Sequence, residues 1–472
     1  MSHRESKDGL MAMIRNGGEM SLRQQLLLTA QLSVPSILAQ LSSILMMYID
    51  SAMVGQLGAD DSAAVGLMST TVWLFAGILS AVAMGFSVQV AHLLGAKRNV
   101  RARSVLRQSL VACTVIAVTI AIAGILISPR LPHWLGGHDA IVSQASSYFL
   151  VLMIGLPPLQ LEFLAGGMLR SSGNMKVPSA LNIMMCVLDV IFNFFLIFPT
   201  REITASGLTF TMPGVGLGVM GAAIGTVSAE VVIAVLMLYY VTLRSRELRL
   251  TKESGSFKPM YPTLVRAWRI AFPMGIQATM MSAAAVVITT IVAPLGSVAL
   301  AANAFAITAE SVCYMPGYGI ADAATTLVGQ SIGAKRRDLV RRFSAITVGC
   351  GMAIMGVMGV LLYRCAPLMM GIMTPVADVV TLGTSVLRIE AWAEPLFGAA
   401  IVCYGVMVGA GDTLVPCWMN LTSMWLVRLT LSALMVGAMG LQGVWLAMCL
   451  ELCFRGAIFL TRLYLKYIKN DG

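Results

Sequence analysis

Six carboxylates stand inside apolar runs of this sequence: Asp50, Asp189, Glu230, Glu310, Glu390 and Glu394. Asp50 follows the uncharged stretch 26–49, which is longer than the ~20 apolar residues that cross a bilayer. An ionisable side chain in hydrocarbon costs about 2.5–3.5 kcal/mol on insertion scales, so it normally faces a bundle interior or a wet cavity. For Asp50 the purely structural alternative is a carboxylate at the membrane boundary, because Gly55, Gly58, Asp60 and Asp61 follow closely. Asp189 has Asn193 one helical turn away on the same face. That pair either glues two helices or lines a cavity that holds a proton or a cation. Glu390 and Glu394 are also one turn apart, just before Pro395. For Glu230, Glu310, Glu390 and Glu394 the alternative to a transport role is neutralisation of two of them by Arg388 and Arg428. Gln40, Tyr48, Gln277 and Trp392 are polar or aromatic residues suited to lining a cavity, and His92 suits a packing contact between helices.

The elements that must position these groups are membrane helices. Of 472 residues, 58% are hydrophobic and only 11% are charged, where a soluble domain carries about 25%. Hydropathy and breakers predict an all-α membrane protein of twelve transmembrane helices, near 26–56, 62–95, 104–127, 140–170, 177–199, 215–243, 262–293, 300–332, 340–363, 376–410, 415–437 and 441–467. Pro35, Pro157, Pro158 and Pro273 predict bends. Met1–Met20 is polar and reads as no cleavable signal, so helix 1 would serve for targeting.

Of the 32 lysines and arginines, 27 fall in the termini and in alternate connections. Arg130, Arg201 and Arg364 lie on the other side. The positive-inside rule then puts both termini in the cytoplasm and makes the helix number even. The net charge of +10 is a topology signal spread over six segments, and no nucleic-acid partner is expected. The nine cysteines lie in or beside apolar segments without a Cys-x-x-Cys, and there are four histidines. No metal site and no cofactor are expected. The 34 methionines suit either lipid contact or an adaptable binding surface.

An internal repeat dominates the architecture. At an offset of 238, Pro35 meets Pro273 and Leu57-Gly58 meets Leu295-Gly296. Gly95-Ala96-Lys97-Arg98 meets Gly333-Ala334-Lys335-Arg336, Gly173 meets Gly411, and Asn182 meets Asn420. The register breaks after helix 5, where residues 201–213 read as a short external hairpin. Six spans per half give two parallel repeats: a first lobe 1–243, a linker 244–261 and a second lobe 262–472. Gly216-x-Gly218-x-x-Gly221 fits the dinucleotide pattern, but no βαβ unit surrounds it. It reads as helix packing, together with Gly221-x-x-x-Gly225.

The pattern Pro35, Gln40, Asp50, Val54-Gly55 and Leu57-Gly58, then Leu94-Gly95-Ala96-Lys97, resembles the multidrug and toxic compound extrusion (MATE) family. So do Gly173-Asn174-Met175-Lys176-Val177-Pro178 and its echo at 409–416. The resemblance implies an antiporter that exports amphipathic, often cationic compounds against Na⁺ or H⁺, through two six-helix lobes around a V-shaped cavity. It implies roles for Asp50, for a helix 5 Asn/Asp pair and for Thr226 in helix 6. Here the pair is exchanged: Asp189 stands where the family has Asn, and Asn193 where it has Asp. The sodium-coupled branch uses acids at positions that are Met281 and Phe397 here. Glu310 matches an acidic position of eukaryotic-type members, and Glu394 is a substitute in helix 10.

The expected mechanism is exchange at one acidic site. Two nearby carboxylates in a low-dielectric cavity resist double ionisation. A proton and a cationic substrate therefore compete for the same charge. The chain is expected to act as a monomer in the lipid bilayer and not as an enzyme. The alternatives are a lipid-linked saccharide flippase, which would need a cationic cavity, an integral-membrane enzyme, and a passive channel. The topology is testable. Asp60→Cys should react with an impermeant maleimide in intact cells; reaction only after lysis would reverse the orientation.

Overall fold

The computed structural model describes residues 6–205, 208–253 and 255–469. Among them are ten helices long and apolar enough to cross a membrane, plus two bent pairs that each complete one span. Helices 1, 2 and 3 are Leu22–Gly55, Ala59–Gly95 and Asn99–Ile127. Helix 4 is Asp139–Ile154 with Leu156–Ser171, and helix 5 is Lys176–Ile197. Helix 6 is Gly218–Tyr239, extended by a π-helical turn Tyr240–Arg244. Helices 7, 8 and 9 are Tyr261–Val292, Ser297–Gly333 and Arg337–Met373. Helix 10 is Ala377–Glu390 with Glu394–Gly409. Helix 11 is Leu414–Thr422, a π-helical Ser423–Arg428 and Leu429–Met439. Helix 12 is Leu441–Leu463, ending in a π-turn Tyr464–Ile468.

The bends follow proline chemistry, and they obey the repeat. Helix 4 turns by 46° and helix 10 by 60°. In each, proline opens the second piece, where its missing N–H costs nothing: Pro157 in one, Pro395 in the other. Pro35 and Pro273 sit inside helices 1 and 7, which remain continuous through them. Residues 201–205 and 208–213 lie in an antiparallel hairpin, Pro199–Ala205 with Leu208–Val215. Arg201 lies over the Phe194 and Phe198 rings, with its guanidinium carbon 4.8 and 4.0 Å from their centroids. Those contacts seat the hairpin on the end of helix 5.

The halves meet through helices 1 and 8, helices 2 and 7, and helices 2 and 8. The closest approach is at the face that carries both chain termini, here the terminal face. A Cβ on Gly95 would overlap the Gln330 carbonyl, and one on Gly333 would overlap that of His92. Gly95 and Gly333 are repeat partners, and so are His92 and Gln330. Their bonds are equivalent too. His92 Nε2 donates to the Gly409 carbonyl at 2.8 Å, and Gln330 Nε2 to the Ser171 carbonyl at 2.7 Å. Burial follows this closure: helix 2 is buried throughout Gly85–Ala91, but from 59 to 78 only Ala64 and Met68 are buried. The halves are packed most tightly at the terminal face, and helix 2 is less buried toward the opposite one.

The repeated Gly-Ala-Lys-Arg ends helices 2 and 8 in the same way. Lys97 and Lys335 adopt left-handed backbone, φ 58° and 57°. This lets Arg98 N–H reach the Leu93 carbonyl and Arg336 N–H reach that of Ser331, at 2.8 and 2.9 Å. A left-handed lysine costs roughly 1–2 kcal/mol. Two substitutions in one motif should therefore act in opposite directions. Lys97→Gly should raise the thermal midpoint in detergent, by relieving that strain less the extra entropy of glycine. Gly95→Ala should lower it, because overpacking costs about 1–3 kcal/mol.

Candidate functional site

The first-half acids converge on one amide. Helix 5 places Asp189 and Asn193 on the same face, both fully buried, and helix 1 brings Asp50 against them. Asn193 Nδ2 donates to Asp50 Oδ1 at 2.9 Å and to Asp189 Oδ2 at 3.1 Å. A single nitrogen thus bridges two carboxylates. Thr226 of helix 6 adjoins Asp189. Glu230, one turn further on, faces Asp189 and Glu162. Tyr148 of helix 4 lies within electrostatic range of Asp50, Asp189 and Glu230. Of the residues expected beside Asp50, Gln40 is half-buried on helix 1. Tyr48 instead crosses to the other half and donates to the Thr308 carbonyl at 2.5 Å.

Among the described residues, no base pairs with Asp50, Asp189 or Glu230. The groups that act on Asp50, Asp189 and Glu230 are one another, Asn193, Thr226 and Glu162. The one base nearby is Arg170, opposite Glu162. Asp189 Oδ1, Asn193 Oδ1 and Glu162 Oε2 are buried without a hydrogen-bond partner. A buried carboxylate pair without a base is costly when both members are ionised. Such a site takes up a proton or a cation.

Glycine shapes it. A Cβ on Gly225 would overlap Asn193 Oδ1 and stand 3.1 Å from Asn193 N. Gly221 makes room in the same way for the Leu196 carbonyl. The Gly221-x-x-x-Gly225 stripe is therefore the packing motif expected from the sequence, and its second glycine also sets where the bridging amide lies. The resemblance did not single out Gly225 or Glu162.

The second half is built differently. Glu390, Glu394 and Glu451 are fully buried and Glu310 nearly so. Glu451 accepts from Ser423 and from Arg455, at 2.8 Å to Nε and 2.7 Å to Nη2. Arg428 faces Glu451, Glu310 and Glu390. Arg455, which the charge pattern assigned to the terminal face, is instead buried inside helix 12 by its pairing with Glu451. Arg388, the other candidate to neutralise an intramembrane acid, is exposed: it donates to the Tyr363 carbonyl and lies over the Tyr363 ring. Both carboxylate oxygens of Glu390 and of Glu394 lack partners. Met281 and Phe397 pack against the apolar core of this half. Asp322 of helix 8, unremarked in the sequence, accepts from Ser36 of helix 1 at 2.8 Å and joins the halves.

Comparison with known proteins places this geometry. The family model MatE matches twice, at residues 35–195 and 273–434. A probable multidrug resistance protein NorM of Thermotoga maritima is 24% identical over 432 residues, covering 91% of this chain and 90% of that one. A protein of the same name from Idiomarina loihiensis is 23% identical over 442 residues, covering 92% and 93%. A multidrug resistance MATE family transporter of the MOP superfamily, solved in an outward-facing conformation, superposes with a TM-score of 0.87 at 19% identity, over 97% of this chain and 98% of that one. With two matched copies that fill most of both halves, the chain belongs to the MatE family of multidrug and toxic compound extrusion transporters.

Proposed function

We propose that this protein is a proton-coupled antiporter that exports amphipathic organic cations across the inner membrane by alternating access. The observation that carries the reading is the Asp50–Asn193–Asp189 bridge, a buried acidic pair that no base opposes. When a cation enters from the cell, its charge replaces that of a proton on the pair, and the proton leaves. When the opposite face opens to an acidic exterior, a proton displaces the cation. One negative site thus serves both cargoes in turn, and the exchange follows from their competition. The relatives' names support a multidrug substrate range. The positive-inside pattern supports a cytoplasmic terminal face. One chain contains the whole site, which supports a working monomer that needs no cofactor beyond its coupling ion.

The acids of the second half, Glu310, Glu390 and Glu394, are a secondary site in this reading, since Arg428 already offsets part of their charge. The same observation disfavours a flippase for pyrophosphate-linked saccharides. Arg455 is paired with Glu451, and Arg428 stands among Glu451, Glu310 and Glu390, so buried acids outnumber bases in this half and an anion is opposed.

Efflux from proteoliposomes under separately imposed H⁺ and Na⁺ gradients tests the proposal. Export driven by the H⁺ gradient alone supports it; export driven only by Na⁺ defeats it. In the same assay Asp50→Asn should lower coupled export at least tenfold while the purified protein stays folded. The double exchange Asp189→Asn with Asn193→Asp should retain much of the activity, because the bridge keeps one amide and one carboxylate on the face. Gly225→Ala should weaken coupling without removing any acid, since it displaces Asn193. Wild-type export by all three would exclude helix 5 and Asp50 from the proton site.

A further inference from the structure

The terminal face carries a structure that neither the transport site nor the repeat pattern required. The helix Lys7–Asn16 precedes helix 1 and is capped by Ser6, whose hydroxyl accepts from Gly9 N–H. It buries Leu10, Met11 and Ile14. Their cluster includes Leu28 and Leu32 of helix 1, Met175 of the first half, and Leu327, Leu339 and Phe343 of the second half. Residues 245–253 and 255–260 connect the halves in sequence. They precede helix 7 but lie against the first half, with Leu248 buried beside Val105 and Leu106 of helix 3. Arg103 donates to the Glu247 carbonyl and pairs with Glu253, and Gln108 accepts from Met260 N–H. The two segments are thus straps: the N-terminal helix lies across both halves, and the linker lies on the first.

Arg15 joins them. Its Nη1 donates to Glu247 Oε1 at 2.9 Å, its Nε to Gln330 Oε1 at 2.9 Å, and its Nη2 to the Ser172 carbonyl at 3.0 Å. One guanidinium therefore holds the linker, the second half and the first half together. Gln330 is the residue whose amide closes the gate onto Ser171. A polar cavity of about 350 Å³, lined by Asp8, Arg15, Lys97, Glu247 and Lys252 among others, lies where the straps meet. The straps are thus joined there by polar bonds rather than by a packed core. Such bonds can be exchanged for water when the face opens.

We propose that the Lys7–Asn16 helix and residues 245–253 and 255–260 form a clasp, fastened by Arg15, that holds the terminal-face gate shut and sets how often it opens. The proposal rests on the alternating-access reading, but its test needs neither a substrate nor a coupling ion. Any motion that separates Gln330 from Ser171 and Ser172 must break Arg15's bond to one half or the other. Arg15 is a positioning residue and touches no cargo.

Hydrogen–deuterium exchange of the full chain in lipid nanodiscs tests it. Three sets of peptides matter: the gate at 85–95 and 323–333, the N-terminal helix at 7–16, and controls at 60–75 and 180–195. In Arg15→Ala the gate peptides should exchange about tenfold faster than in wild type, since a charge-assisted contact to both halves is lost. The controls should be unchanged. Glu247→Gln, which leaves two of the three bonds, should show a smaller rise in the same peptides, and it stands as the test if Arg15→Ala does not fold. Faster exchange confined to 7–16, with the gate at the wild-type rate, would overturn the proposal and leave that helix a docked terminus.

Discussion

One constraint governs this molecule: negative charge placed in an apolar interior has to be offset by something. In the first half the offset is partial. Asn193 gives two hydrogen bonds from a single nitrogen, one to each of two carboxylates, and no arginine or lysine stands behind it. Among the described residues the pair is thus left without a compensating positive charge. In the second half part of the offset is built in, because Arg455 pairs with Glu451 and Arg428 sits among Glu310, Glu390 and Glu451, although the carboxylates of Glu390 and Glu394 lack hydrogen-bond partners among the described residues. Two lobes of one fold therefore differ in whether an arginine stands among their acids.

The physical origin of that difference can be followed along the chain. The repeat holds at 238 as far as Asn182 and Asn420, and then helix 11 enters its π-helical stretch Ser423–Arg428. A π-turn accommodates one extra residue. Beyond it the offset becomes 239, in keeping with the ends of the two matched segments at 195 and 434. Arg428 then corresponds to Asp189, and the buried Ser432 to Asn193. Helix 1's Asp50 corresponds to Ile288, which is buried in the apolar core of the second half. Where one half has two acids and an amide, the other has an arginine, a hydroxyl and an isoleucine. The terminal-face contacts of His92 and Gln330 stay symmetric because closing the gate needs the same geometry from each half.

Much of this was legible in the sequence. Intramembrane acids are conspicuous against a run of apolar residues, so Asp50 and Asp189 stood out, and the repeat gave the architecture. The exchanged order of Asp189 and Asn193 proves compatible with a bridge, because both side chains occupy one face and the amide reaches either carboxylate. What could not be read were pairings across helices. Arg455 looks like part of a basic terminus until Glu451, one turn earlier on the same helix, is seen to face the same buried interior. Arg388 looks intramembrane but lies at an exposed helix end against Tyr363. Gly225 carries no chemistry of its own, and only the approach of Asn193 gives it a role. The helix Lys7–Asn16 was hidden by its short length and polar composition; its signal is the spacing of Leu10, Met11 and Ile14 on one face.

The account stands or falls on whether a cation and a proton share the bridged pair. Calorimetric titration of the purified protein with tetraphenylphosphonium, a lipophilic cation that carries no proton, reads this directly when repeated in buffers of different ionisation enthalpy near neutral pH. The slope of observed enthalpy against buffer enthalpy counts the protons released on binding. Close to one proton per bound cation is predicted, and none from Asp50→Asn. A slope of zero in the wild type, with binding intact, would contradict the account.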